Sequence, residues 1–130
     1  MRRLYDKCVI WKRWAQVLQR GAKIEDYFLK RGIQKIAVYG MGDVGDFLVE
    51  CLNETKIEVV YLIDMVRCVS RYDIPIYSPD KIPDTVEAII VTPITSFDQI
   101  YDTISKKFDR EIEIVGIDEL LVSLLLEKKL

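Results

Sequence analysis

The tightest constraint on this chain is the run Lys35-Ile36-Ala37-Val38-Tyr39-Gly40-Met41-Gly42-Asp43-Val44-Gly45. A short apolar stretch meets G-x-G-x-x-G, and an amphipathic pattern carrying Val44, Phe47, Leu48, Cys51 and Leu52 on one face follows at once. Strand, tight turn and helix in immediate succession is the setting in which this glycine spacing has a physical meaning. Gly40 permits the turn out of the strand, Gly42 leaves room for a phosphate to approach the backbone, and Gly45 lets the helix pack closely on the sheet. Met41, Asp43 and Val44 complete the loop, and the helix start offers unpaired N–H groups and the positive end of its dipole to an anion. A second strand, Val59–Ile63, ends in Asp64. That carboxylate falls about 20 residues after the glycines, where it can accept hydrogen bonds from a ribose hydroxyl. These features predict a nucleotide-binding half-fold.

The rest of the chain alternates in the same way. Residues 4–19 read as a helix with an inner stripe of Leu4, Cys8, Trp11, Ala15 and Leu18, with Trp14 beside it. A shorter helix over about 24–31 ends at Gly32. Strands are predicted at 35–39, 58–63, 88–91 and 112–115, and a helix at 43–53. Residues 64–73 read as a loop. Ile74-Pro75-Ile76-Tyr77 is a short extended piece that Pro75 keeps out of a sheet centre. Ser78-Pro79-Asp80-Lys81 reads as a capped helical turn. Ser96 and Gln99 have capping-box spacing ahead of a helix whose inner stripe is Phe97, Ile100, Tyr101, Ile104 and Phe108. Asp118 is expected to cap a last helix running to about 128. The fold class is therefore α/β: a Rossmann-like three-layer domain with a parallel sheet of four to five strands. With 88–91 counted as the third strand, the expected order is third-second-first-fourth. Residues 1–32 form an extra helical segment and 33–130 the nucleotide-binding body.

Composition narrows the chemistry. The 130 residues suit one domain, and the hydrophobic and charged fractions, 50% and 31%, belong to a globular chain. No apolar run approaches the roughly 18 residues that span a bilayer, and charges interrupt the N-terminal apolar positions, so a cytoplasmic protein is expected. There is no histidine, and Cys8, Cys51 and Cys68 form no C-x-x-C pair. A metal site is not expected, and the commonest general base is missing. Cys51 reads as a small buried hydrophobe. The net charge of −2 divides into +7 over residues 1–35 and −9 over residues 36–130. The basic arm is expected to lie on its own acidic body or on a sister subunit.

Each candidate site has two readings. The glycine loop binds a nucleotide, or it is a packing turn. Asp43 and Asp46 favour the second, since two carboxylates in the first turn satisfy the helix dipole themselves and repel a diphosphate unless they point away. Asp64 contacts ribose, which prefers NAD-like over NADP-like ligands, or it is a turn aspartate; Arg67 lies three residues on. The loop Thr92-Pro93-Ile94-Thr95-Ser96 offers its hydroxyls to phosphate, ribose or sugar, or serves only turn and capping chemistry. No Tyr-x-x-x-Lys pair exists: Ser105 follows Tyr101 at that spacing, and Arg31 follows Tyr27. No catalytic residue is named, and catalysis by this chain alone is not expected. Trp11 and Trp14 read as packing residues or as a membrane-surface anchor. Leu120, Leu121, Val122, Leu124, Leu125, Leu126 and Leu130 make the last helix apolar almost all round. Such a helix is buried on more than one side, and a homodimer through residues 4–18 and 118–130 is expected.

From about Gly32 to Leu121 the chain resembles small Rossmann-type domains of bacterial polysaccharide and sugar-nucleotide enzymes. The resemblance rests on Lys35–Gly45, Val59–Asp64, Ile74-Pro75-Ile76-Tyr77-Ser78-Pro79, Ala88–Thr92 and the stretch Ile114-Val115-Gly116-Ile117-Asp118-Glu119-Leu120-Leu121. Similar domains precede the β-helix of sugar acetyltransferases, where the glycine loop helps bind a nucleotide sugar, or the catalytic domain of sugar-nucleotide dehydratases. The resemblance implies that Gly40, Gly42, Gly45 and Asp64 face a nucleotide, either NAD(H) or a nucleotide-diphospho sugar. It also implies a partner enzyme of polysaccharide synthesis. A small-molecule nucleotide, not a nucleic acid, is the expected ligand. The chain differs in its basic N-terminal segment and in lacking a catalytic domain.

Overall fold

A computed structural model describes the backbone of residues 2–65 and 72–128, and the side chains of 7–65 and 72–127. Five parallel strands make one sheet: β1 (Lys35–Tyr39), β2 (Glu58–Ile63), β3 (Ile76–Tyr77), β4 (Ala88–Val91) and β5 (Glu113–Gly116), in the spatial order β3-β2-β1-β4-β5. The helices are α1 (Arg2–Gln19), α2 (Ile24–Leu29), α3 (Asp43–Leu52), α4 (Phe97–Ser105) and α5 (Ile117–Lys128). Alternate residues of each strand feed two apolar layers. Ile36, Val38, Leu62 and Ile90 face α1, α2, α3 and α5, while Ala37, Tyr39, Ile63 and Ile89 face α4 and Val86. α3, between β1 and β2, covers the first face and α4, between β4 and β5, covers the second, as a single crossover hand requires. This is the minimal Rossmann-like three-layer domain that the alternating pattern predicts. Leu4 as a side chain, Arg67, Cys68 and Leu130 lie outside the described residues.

The strand order differs from expectation in one respect. Residues 88–91 do not flank β2; they pair with β1, from Ile36↔Ala88 to Tyr39↔Val91. The place beside β2 belongs to Ile76 and Tyr77. The reason is burial. Ala88–Val91 is apolar throughout and fully buried, which suits a strand covered on both faces and paired on both sides. A two-residue strand preceded by proline belongs at the edge.

The helical details hold four further corrections. In α1 the buried side chains are Ile10, Trp14 and Val17, while Cys8, Ala15 and Leu18 are exposed. The helix is turned so that Trp11 and Trp14 both meet Phe47 of α3, with ring centroids 5.5 and 4.8 Å away in edge-on contacts. Before α4 the chain makes a 3₁₀ turn, Ile94–Ser96, and Ser96 makes no side-chain cap. Tyr101 faces solvent, and Phe108 is buried beyond the helix end. Ser78–Lys81 is a turn closed by Lys81 N–H to Ser78 O at 3.1 Å. The Ser78 hydroxyl donates to Asp80 instead of capping a helix. Asp118 sits inside the first turn of α5, which begins at Ile117.

α5 is covered from within the chain. It packs on β5, on α1 and on α2, and Leu120, Leu121, Leu124 and Leu125 are buried while Leu126 is exposed. Its apolar circumference therefore needs no second subunit. α2 is held by polar contacts: Tyr27 donates to Glu113 at 2.7 Å, and Arg31 lies 3.7 Å over the Tyr27 ring while pairing with Glu127 at 2.9 Å. Burial, and then Glu113, pushes the Tyr27 phenol far above its ordinary range. Lys7 and Arg31 pair with Asp43 and Glu127, so the basic arm lies on its own body. At the far edge of the sheet Glu87 accepts the Gln34 and Lys35 N–H groups, which hold its carboxyl below the usual range. None of the described helices is long and apolar enough to cross a membrane.

Candidate functional site

β1 hands the chain toward β2 and β4 hands it toward β5, so their two loops part at the carboxyl edge and leave a crevice between them. The glycine loop and the segment 92–96 form its walls. The three glycines meet different surroundings. Gly40 has φ +97°, and a Cβ there would run into Thr92 Oγ1 and lie 2.9 Å from Pro93 Cδ. A Cβ on Gly45 would meet the carbonyl oxygen of Gly40, so α3 starts against the turn it leaves. Gly42 is the N-cap of α3 at φ −77°, and a Cβ on it would touch nothing within 4 Å. The middle glycine alone faces open space, and having no side chain it cannot cap the helix that follows.

The open space is a cleft of about 350 Å³. Gly42 and Val44 stand on one side and Pro93 and Thr95 on the other, with Lys7 and Ile10 of α1 over them. Asp43 is the first residue of α3 and points into solvent, with Lys7 Nζ 3.9 Å from its Oδ2. The carboxylate that sequence reasoning feared would repel a phosphate thus has a cation beside it. Asp46 lies one turn on, half-buried.

Asp64 lies at the end of β2, half-buried, and its Oδ2 accepts the Met41 N–H at 2.9 Å. It braces the glycine loop from below. Burial and the Asp64 charge raise the pKa of neighbouring Tyr39. Thr92 is buried, and its hydroxyl donates to Tyr39 O at 2.9 Å. It ties the ends of β1 and β4 together at the floor of the cleft, while Pro93 reaches the wall. The structure therefore brings Gly40, Met41, Gly42, Asp43, Val44, Gly45, Thr92 and Pro93 to one place, with Asp64 behind them. Cys51 is half-buried, and burial pushes its thiol up to about 11, so it stays protonated.

Sequence reasoning missed Lys7 and Ile10. Lys7 and Ile10 precede the glycine loop by about thirty residues and reach it only because α1 folds back over α3 and α5. No linear spacing signals that. Among the described residues no cluster of His, Cys, Asp and Glu is suited to hold a metal ion.

Fold and crevice together define a Rossmann-like α/β domain with a glycine loop at its topological switch point. No protein-family model matches this chain, and no curated protein matches it.

Proposed function

We propose that this chain is a nucleotide-binding module that seats the phosphates of NAD(H) or a nucleotide-diphospho sugar against Gly40–Gly45. The observation that carries the reading is the contrast among the glycines. Gly40 and Gly45 are required by contacts within the protein, whereas the space at Gly42 is left to something else. A phosphate fits there chemically, since the start of α3 presents N–H groups and a positive dipole end to it. Asp64 supports the site by holding the loop rather than by a free carboxylate. A role in cell-surface polysaccharide or sugar-nucleotide metabolism, with catalysis left to a partner enzyme, rests on the resemblance in motif order alone.

A second reading has its own observation. Asp43, Asp46 and Asp64 crowd the loop with carboxylate, and one of them already occupies the Met41 N–H. An interaction domain with an empty crevice would look the same.

Calorimetry with NAD and a panel of nucleotide sugars separates the two. The expected outcome is binding by the wild type and none by Gly42→Val, with unchanged far-ultraviolet circular dichroism, because the φ at residue 42 suits any side chain and the space is open. No binding by either protein would leave the empty-crevice reading standing.

A further inference from the structure

We propose that α1 is part of the binding site: Lys7 contacts the terminal phosphate of a nucleoside diphosphate held at Gly40–Gly45, and the helix blocks the second nucleotide of a dinucleotide. The inference rests on the nucleotide-binding reading and narrows it to one ligand class.

The first observation is the position of Ile10. Its side chain lines the 350 Å³ cleft over the glycine loop and also a neighbouring space of about 450 Å³. That neighbour lies between Arg13, Ile94 and the start of α5 at Asp118 and Glu119. Ile10 is 3% exposed and belongs to the main apolar cluster. It is a fixed wall between the two spaces. A dinucleotide bound across a switch point runs from the β2 side over the glycine loop to the ends of the strands beyond β4. Here that path crosses Ile10. The part on the near side, at about 350 Å³, lies near the lower end of ligand pockets, roughly 300–1,000 Å³, and suits one nucleotide.

The second observation is Lys7. It is the cationic side chain on the wall of that cleft, and its contact with Asp43 is long, at 3.9 Å, between side chains 51% and 84% exposed. An exposed pair of this kind contributes little to stability, so exchanging the carboxylate for a phosphate is cheap. A diphosphate at Gly42 would bring its outer oxygens toward the ammonium, which then bonds a doubly charged group instead of a single carboxylate. Arg13 and the carboxylates of Asp118 and Glu119 stay on the far side of Ile10.

The test is calorimetry on the full chain with ADP, UDP, GDP, their sugar conjugates and NAD, using wild type, Lys7→Ala and Lys7→Arg. At least one nucleoside diphosphate or its sugar conjugate is expected to bind more tightly than NAD. Lys7→Ala should weaken that binding about tenfold or more, the loss of one charge-assisted contact, and Lys7→Arg should restore most of it. Thermal melting should be the same for all three proteins. NAD binding more tightly than every mononucleotide would overturn the proposal while leaving the nucleotide-binding reading intact. So would equal affinities of wild type and Lys7→Ala. No binding by any of the compounds would overturn both.

Discussion

At the scale of single residues, one motif holds three glycines for three physical reasons. Gly45 is the strictest, because the atom a side chain would meet is the backbone carbonyl of Gly40 and not a side chain that can swing away. Gly45→Ala is expected to destabilise the fold by about 1–3 kcal/mol or more, the usual range for overpacking. Gly42→Ala should stay within about 0.5 kcal/mol, as surface changes do. Urea denaturation of the two variants checks this, and equal midpoints would show that the contrast between the sites is not real. The glycine spacing was readable because the strand, turn and helix that use it are contiguous. Asp64 was readable only in part. Its distance along the chain placed it at the end of β2, but whether its oxygen meets a ribose or the Met41 N–H depends on the path of the loop in space. Thr92 is similar: ligand contact and turn chemistry were both open to its hydroxyl, which donates to Tyr39 O.

At the scale of elements, sequence and structure agree best where the pattern is strong and unshared. β1, the start of α3 and β2 fall where the apolar runs and the glycine turn put them. The phase of α1 does not, because its apolar residues allow two faces and only Phe47 and α5 choose between them. The choice is measurable. Trp14→Ala should cost about 3–5 kcal/mol, the range for deleting a buried large aromatic, while Leu18→Ala, at 52% exposure, should cost less than about 0.5 kcal/mol. Comparable losses in thermal or urea unfolding would return Leu18 to the inner face. β3 was seen as an extended piece but not as a strand, since two residues carry no periodicity. β4 was consequently placed beside β2, on the wrong side of β1. The error is instructive, because a short edge strand decides where a fully buried one can go.

At the scale of the whole molecule, α1 and α2 cover the helix whose apolar circumference had suggested a dimer. Among the described residues of α1, α2 and α5 the exposed large apolar side chains are Leu18, Leu29 and Leu126, and a stable interface needs a broader patch. Sedimentation equilibrium at micromolar concentration is expected to give a monomer, and a dimer would mean that the cover is incomplete. The contact of α1 with α5 has one more consequence, in time. α1 leaves the ribosome before both of its helical partners, and α3, which brings Phe47 to Trp11 and Trp14, is made long before α5. Bringing such distant segments together carries a loop-closure cost that nearer contacts do not. The α1–α5 contact therefore closes a longer loop than the α1–α3 contact does. The wall bearing Lys7 and Ile10 is thus complete only after α5 has been made, although α3 is there to receive it earlier.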